Sequence, residues 1–435
     1  DVTDPNEILA VKASSAADGA FSWASTVARR REYAAWRRGA NLPTPRLVGT
    51  VSPQNLHGMS SPDMVIVTPS AFKAQAQRIA DFHAAGVDTL DVAVVDVEEI
   101  YNEFSGGHQD PAGIRSFLKM LYDRGLDGNG KPLRFAMLMA RMTCDNRHLL
   151  KAFGTHPTIP GWAPWSVRSS LSDNEGYFTD DFYAMLDDGA GADMRNDKLR
   201  IAVGRVPVTN VTEAREVADK EIEYGVGARH TAWKQRLMFL ADDGDRGVHL
   251  NQSEAQIAGF EGTESLPFVV RKVYMESYMR EGGTYPEARS AMFRNLDEGV
   301  VWWNFIGHAN PTGWTGDGQL SYTDLNQLYL RHLPFIYAAT CDFLRLDAMN
   351  ISGAEILYKE RYGGCIGVIS ATRPVYISEN GPLSAAVGRA MGCRDESGRI
   401  LPPGEIYRRA KNDIRNSSGQ VVADDNRLRY VFVGD

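Results

Sequence analysis

No apolar run in this sequence approaches the roughly 18 residues that a membrane-spanning helix needs. The N-terminus also lacks the basic-then-apolar order of a secretion leader. The chain opens abruptly at Asp1 and stops just past a strand-like run at Asp435, so it reads as a fragment of a longer protein. The missing leader therefore carries little information about compartment. Cysteine is scarce, with four in 435 residues (Cys144, Cys341, Cys365 and Cys393) and no CxxC pair. That excludes a disulfide scaffold and a zinc knuckle. Cys365 opens an apolar run and reads as a small core residue, and a Cys365–Cys393 bridge has only the even count in its favour. Gly363, Gly364 and Gly367 do not follow a strand in GxGxxG order, which excludes a dinucleotide fingerprint. Positive charge is in deficit, 47 Lys and Arg against 55 Asp and Glu for a net charge of −8. Nucleic acid is not the expected partner.

What is present is a globular composition, 43% hydrophobic and 23% charged, in a chain long enough for more than one domain. Residues 1–58 are rich in Ala, Ser, Arg and Pro and lack a helix–strand rhythm. They read as the end of an upstream β-rich region or a linker, with Arg29 to Trp36 as a terminal strand or linker. From Met64 onward strand and helix alternate. Strands are expected at 63–68, 90–95, 134–140, 200–206, 236–241, 269–274, 300–306, 335–340 and 365–370. Helices are expected between them, including 322–330, then 383–391 and 404–414. Asp110-Pro111 starts one helix and Arg124-Gly125 ends it, in keeping with proline at the first turn and glycine past the last. The near-continuous apolar strands argue for parallel sheets covered on both faces. The expected division is one α/β subdomain at 59–228 and a second at 229–435. Residues 141–198, rich in Pro, Trp, Gly and Asp, form an unusually long connection of the kind that is functional or poorly ordered.

Two apolar runs carry the chemistry. Val300-Val-Trp-Trp-Asn-Phe-Ile-Gly307-His308-Ala309 ends in an imidazole, and Phe335-Ile-Tyr-Ala-Ala-Thr-Cys341 ends in a thiol. In open α/β sheets ligands sit beyond the carboxyl ends of strands, so adjacent strands would present both groups at one rim. A thiol is already a few per cent ionised at neutral pH. A nearby imidazole raises that fraction and later protonates the leaving amine. Taken singly, Cys341 is as readily a structural thiol and His308 a histidine bonded to a carbonyl; their joint placement favours a nucleophile–base pair. Asp242 or Asp243 ends the strand at 236–241 and would accept from the outer nitrogen of His308. A solvated acidic turn is an equal reading of Asp242-Asp-Gly-Asp245. His249 follows that turn and would face the cleft, whereas His148, His156 and His332 lie in loops or at the surface. The turn at 242–245 and the stretch holding Asp187, Asp188, Asp193 and Asp197 offer hard oxygen ligands suited to calcium, without EF-hand spacing. No metal is assigned to the site and no cofactor is required.

Asn304-Phe-Ile-Gly-His308, Leu333-Pro-Phe-Ile336, Cys341 and Ile366-Gly-Val-Ile-Ser-Ala-Thr-Arg373 resemble the gingipain (C25-type) family of cysteine peptidases. Asp63 to Pro69, Ile100 to Ser105, Lys119 to Gly125, Thr179 to Tyr183, Gly204 to Val208 and Ala338 to Phe343 also resemble its type IX secretion system sortase branch, the C-terminal signal peptidases. The resemblance covers about residues 50–435, and the His-to-Cys spacing is its most specific part. It implies a caspase-like α/β fold of two subdomains, with Cys341 and His308 in the second. It implies an oxyanion hole from the backbone N–H groups of Ala309 and Cys341, and places the acidic partner of the histidine on Asp243, with Asp242 one residue off. Gly307 and His249 fall at substrate-binding positions, and His249 stands where arginine-specific relatives have an acidic pocket floor. Two departures are evident. The family's Gly-His-Gly is Gly307-His308-Ala309, and its Gly-Asp after the third strand is Ala140-Arg141, which removes the carboxylate of any cation site there.

The resemblance further implies a peptidase on the outer face of a Gram-negative outer membrane. It would remove C-terminal signal domains from secreted protein substrates beside other secretion components, and pass the acyl group to an amine of surface lipopolysaccharide. The alternatives are a secreted gingipain-like endopeptidase and a non-catalytic scaffold of the secretion complex.

Overall fold

A computed structural model describes every residue except 5–6, 27, 29, 45–46, 48, 87–88, 164–175, 228–230, 262–267 and 317. The chain separates into two compact units, residues 1–53 and 54–435. In the first, β1 (Ser14–Ser15) and β2 (Phe21–Ser22) form a short antiparallel hairpin. Of the two readings of Arg29 to Trp36, residues 30–36 form no strand, and Arg29 itself lies outside the described residues. That segment is instead tied to the N-terminus. Val2 N–H donates to the Glu32 carbonyl, and Arg31 pairs with Asp1 at 2.5 Å.

The second unit follows the expected alternation. Its first half runs β3 (Met64–Thr68), α1 (Lys73–Ala85), β4 (Val92–Asp96), α2 (Val97–Phe104), α3 (Pro111–Leu126), β5 (Phe135–Leu138), β6 (Ala202–Arg205) and α4 (Val211–Val226). The second half continues with β7 (Arg236–Ala241), α5 (Val248–Glu261), β8 (Val269–Tyr274), α6 (Pro286–Glu298) and β9 (Trp302–Ile306). A small hairpin of β10 (Ala309–Asn310) and β11 (Gly313–Trp314) precedes α7 (Tyr322–Leu325), β12 (Phe335–Ala339), α8 (Gly353–Lys359) and β13 (Gly367–Ala371). Helices α9 (Ile377–Met391) and α10 (Pro403–Asn412) lead to β14 (Tyr430–Val433). Asp110 caps α3 by accepting from Ala112 N–H, with Pro111 in the first turn as the sequence indicates.

The strands form one sheet in the order β4-β3-β5-β6-β14-β13-β12-β9-β7-β8. Its four-stranded arm (β4, β3, β5, β6) meets the six-stranded arm at one residue pair, Val433↔Arg205. β14 is antiparallel to β13, whereas β13, β12, β9, β7 and β8 are mutually parallel. The expected boundary at residue 228 falls on 228–230, outside the described residues.

Successive residues on each strand alternate between the two faces. Leu237, Phe239, Trp302, Tyr337, Ile369 and Phe432 pack under α5, α9 and α10. Met238, Leu240, Trp303, Phe305, Ile336 and Val368 face the other way, toward α6 and α8. Burial on both faces explains the unbroken apolar runs and holds the strand ends rigid.

Two elements depart from expectation. The helix foreseen at 322–330 is one turn only, Tyr322–Leu325; a capping box between Ser321 and Asp324 starts it, Arg289 grips the Asp324 carboxylate at 2.7 Å, and it ends at Asn326. Helix α9 begins at Ile377 rather than 383, and Pro382 sits inside it. Proline marks a helix start by preference, so the preceding turn was not legible.

Candidate active site

Three adjacent parallel strands deliver the candidate residues to one edge. Register pairs Ile306 of β9 with Ala339 of β12 and with Ala241 of β7. Two residues beyond the first pair stand His308 and Cys341; one residue beyond the second stands Asp242. Because strands lie about 4.8 Å apart, this register brings the backbones of Cys341, His308 and Asp242 to neighbouring strand ends. Gly307 is dictated by space. A Cβ there would come within 2.4 Å of the Asp242 Cβ and 2.7 Å of the Phe305 ring.

The imidazole is held from two directions. His308 N–H donates to Asp242 Oδ2 at 3.0 Å, fixing the backbone. Its ring Nε2 lies 2.7 Å from Asp245 Oδ2, which leaves Nδ1 as the nitrogen available to a thiol. The carboxylate facing the ring is thus Asp245, not Asp243 or Asp242 as expected. Asp243 accepts from the Tyr285 hydroxyl at 2.6 Å and lies 3.8 Å from Arg280. Asp242 is spent on two backbone N–H groups, those of His308 and Asp243, and burial pushes its pKa up to about 6. Hydrogen bonding to His308 holds the Asp245 carboxyl below its usual range. Asp245 reaches the ring because the turn coils back on itself: Gly244, Asp245, Arg246 and Gly247 all have positive φ, from 45° to 83°. Two consecutive non-glycine residues in that region store strain, as functional turns often do. The sequence signal was the pair of glycines bracketing Asp245, which frees the backbone to turn.

His249 is buried in the first turn of α5, and its Nε2 is 3.1 Å from the same Asp245 oxygen. Its ring stands edge-on to that of His308, with centroids 5.1 Å apart. Burial lowers the His249 pKa.

The Cys341 thiol is half-buried. Val375 N–H donates to Sγ at 3.4 Å, and Sγ in turn contacts the Val375 carbonyl at 3.7 Å. Among the described residues no hydrogen bond joins the thiol to His308. Burial raises the Cys341 pKa, partly offset by the Val375 N–H. The next residue, Asp342, has φ of 56°, so the chain turns sharply after the sulfur. The backbone of Ala309 is also suited to a role. Thr315 N–H donates to the His308 carbonyl, which makes Ala309↔Trp314 a non-hydrogen-bonded pair of the small hairpin and leaves the Ala309 N–H out of the ladder. Ala309 is extended there, so it does not need the conformational freedom of glycine.

Buried ion pairs fix the surrounding loops. Arg373 after β13 forms a two-pronged pair with Asp347 after β12, both bonds 2.7 Å. Arg141 after β5 reaches Glu355 Oε1 at 2.6 Å and the carbonyls of Ala348 and Asn350. Arg205 grips Asp180 at 2.6 and 2.7 Å, anchoring the long connection that follows Arg141. Within that connection Trp162 stacks on Phe182, and Arg373 lies over the Phe178 ring at 5.4 Å. Trp165 lies outside the described residues. The acidic stretch 187–197 turns largely inward to its own partners: Asp187 pairs with Arg200, Asp188 with Lys119, and Asp197 accepts from Gly191 N–H. All four cysteines are free thiols, Cys365 and Cys393 included.

The sequence profile of peptidase family C25 matches residues 58–435. The chain belongs to peptidase family C25. Its fold is also that of solved structures with low identity. The Arg-specific cysteine proteinase gingipain R (RgpB) superposes with a TM-score of 0.63 at 15% identity, covering 87% of this chain and 78% of that one. The complex of Porphyromonas gingivalis RgpB pro- and mature domains gives 0.62 at 15% identity, covering 86% and 78%. Dimeric latent PorU from the same organism gives 0.51 at 23% identity, covering 91% of this chain and 32% of PorU. No curated protein sequence matches. This C25 peptidase therefore has the caspase-like α/β architecture expected of it. Among its described residues no helix is long and apolar enough to cross a membrane.

Proposed function

We propose that this C25 chain is a cell-surface cysteine peptidase of sortase type, with Cys341 as nucleophile and His308 as its base. The observation that carries the catalytic part is the register of β12, β9 and β7, which sets Cys341, His308 and the acidic turn at the ends of three neighbouring strands. In this reading Cys341 Sγ attacks the scissile carbonyl carbon while its proton passes to His308 Nδ1. Asp245 receives the Nε2–H and stabilises the imidazolium. The N–H groups of Ala309 and Cys341 stabilise the oxyanion. Collapse of the adduct breaks the C–N bond, and His308 returns the proton to the leaving amine. The Val375 contacts of Sγ describe a resting rotamer, and the sulfur rotates toward Nδ1 when substrate enters.

The proposed substrates are secreted proteins with C-terminal signal domains. The thioester then passes to water or to an amine acceptor, of which lipopolysaccharide is the proposed one, at the outer face of the outer membrane among secretion components. PorU supports this choice by its higher identity, 23% against 15% for RgpB. RgpB superposes better, 0.63 against 0.51, which favours the second reading, a secreted endopeptidase. An amine must be bound and oriented to outrun water, and effective molarities of about 10⁵ M are open to well-placed groups. The wall that Trp162, Tyr177 and Phe178 form beside Arg373 is the proposed acceptor groove. The deciding experiment incubates the protein with a cargo peptide and a glycine oligomer. Amide adducts lost on Cys341→Ala support transfer, and only free acid at high amine makes this chain a hydrolase. Undiminished cargo processing by Cys341→Ala would leave only the scaffold reading.

A further inference from the structure

Among the described residues, Asp245, His249 and His308 each point one ligand atom at a common space, with those atoms all within 4.8 Å of one another. We propose that these three side chains form a binding site for a borderline divalent cation of the zinc type, and that occupancy shuts the peptidase off.

The donor set argues for the metal class. Two imidazoles and one carboxylate suit zinc and its first-row neighbours, whereas calcium and magnesium prefer all-oxygen sites. Three protein ligands with one open position for water is a common zinc arrangement. The placement argues for a built site. His249 is 4% exposed and held in the first turn of α5, so its Nε2 direction is set by packing and not by solvent. Asp245 sits on the coiled turn between Gly244 and Gly247, and its Oδ2 already lies 2.7 Å from one imidazole nitrogen and 3.1 Å from the other. Tetrahedral zinc with bonds near 2.0–2.1 Å needs ligand atoms about 3.3 Å apart. His308, with 64% of its side chain exposed, has the freedom to close the remaining distance. Nδ1 of His249 has no hydrogen-bond partner among the described residues, so its orientation lacks the outer acceptor that tight metal sites have. The site should therefore be reversible and regulatory.

The consequence for activity rests on the proposed peptidase reading; the binding does not. A cation on His308 Nε2 uses that nitrogen's lone pair and takes Asp245 as its own ligand, so the ring's one proton sits on Nδ1 and no lone pair faces Cys341. The imidazole can then no longer gather a second proton from Cys341 as an imidazolium would.

The test is calorimetric titration of zinc chloride into the Cys341→Ala protein, where the thiolate beside His308 is gone and turnover is irrelevant. One site per chain is expected. Loss of an outer-shell partner costs about 10–100-fold in metal affinity, so His249→Gln and Asp245→Asn, each removing a ligand, should each weaken binding by about 100-fold or more. A melting curve checks that each variant folds; if buried His249→Gln does not, the more exposed Asp245→Asn decides. A second measurement uses cobalt(II) with Cys341 intact. Ligand-field bands without a thiolate charge-transfer band are expected. Wild-type zinc affinity in Asp245→Asn, no binding to the Cys341→Ala protein, or a charge-transfer band lost on Cys341→Ala would each overturn the site. Zinc binding to a protein that turns over no cargo peptide even when metal-free would leave the site standing and remove the peptidase reading, and undiminished turnover at saturating zinc would overturn the shut-off.

Discussion

Replacing Asp245 by asparagine separates the acid seen in the structure from the acid that the family pattern implies. The substitution keeps the side chain's size and its hydrogen-bonding oxygen but removes the charge 2.7 Å from His308 Nε2. A hydrogen bond with a charged partner contributes about 1.5–3 kcal/mol when shielded. Here the carboxylate is 43% and the imidazole 64% exposed, so solvent screening reduces the value to about 1–2 kcal/mol. That equals a factor of about 5–30, or about one unit in an apparent pKa. The sign follows from which species the carboxylate stabilises. It favours the imidazolium, hence the thiolate–imidazolium pair, so its loss makes Cys341 harder to ionise. The rate of Cys341 alkylation by iodoacetamide, followed against pH, should shift its inflection upward by about one unit in Asp245→Asn. Asp243→Asn is the control, because Asp243 binds Tyr285 and does not touch the ring. An unmoved profile in Asp245→Asn, or an equal shift in Asp243→Asn, would refute the assignment.

Iodoacetamide should label Cys341 faster than Cys365, whose buried thiol is pushed up to about 12, and faster than Cys144 and Cys393, which have no imidazole at a neighbouring strand end; peptide mapping gives the order, and slower labelling of Cys341 would remove the nucleophile. Peptides with Arg or Lys at the cleaved position should turn over poorly, since a basic side chain needs a buried carboxylate to replace its hydration and His249 offers none; efficient cleavage after Arg would mean that Asp245 serves that pocket instead. Burial raises the carboxyls of Asp242 to about 6, of Asp424 to about 7, and of Glu221 in the same direction, all above the roughly 4 of an unfolded chain. Through these three carboxyls the folded state holds more protons than the unfolded one between about pH 4 and 8, so their contribution to stability falls as pH rises through that window; Asp424→Asn should make the change in melting temperature from about pH 5.5 to pH 8 more positive, and an unchanged difference would contradict it. Glu355→Ala leaves buried Arg141 unpaired and should cost about 3–5 kcal/mol in denaturant titration, against no more than about 1 kcal/mol for Asp187→Ala in the exposed Arg200 pair.

The strands and their order of use were legible because burial on both faces writes apolar runs into the sequence, as at Val300–Ile306 and Phe335–Ala339. Their ends then located Cys341, His308 and Asp242 without further information. Sequence did not show which acidic side chain meets the ring, because that depends on the coiling of Gly244–Gly247, and backbone torsions at single residues leave no periodic trace. Nor did it show that β14 closes the sheet between its two arms. Tyr430–Val433 reads as any short apolar run, and its partners lie far away in sequence. Of the aromatic residues in the long connection, Trp162 packs on Phe182, and Phe178 under Arg373 lies beside the loops flanking Cys341.

Arg141 puts a positive charge of the chain's own against the segment that follows the nucleophile, holding the carbonyls of Ala348 and Asn350 and the Glu355 carboxylate together. A bound metal ion in that role can be diluted out, chelated or exchanged. A guanidinium fixed to the backbone cannot. The geometry of the loop after Cys341 is therefore set once, at folding, and is indifferent to the ionic composition of whatever medium surrounds it.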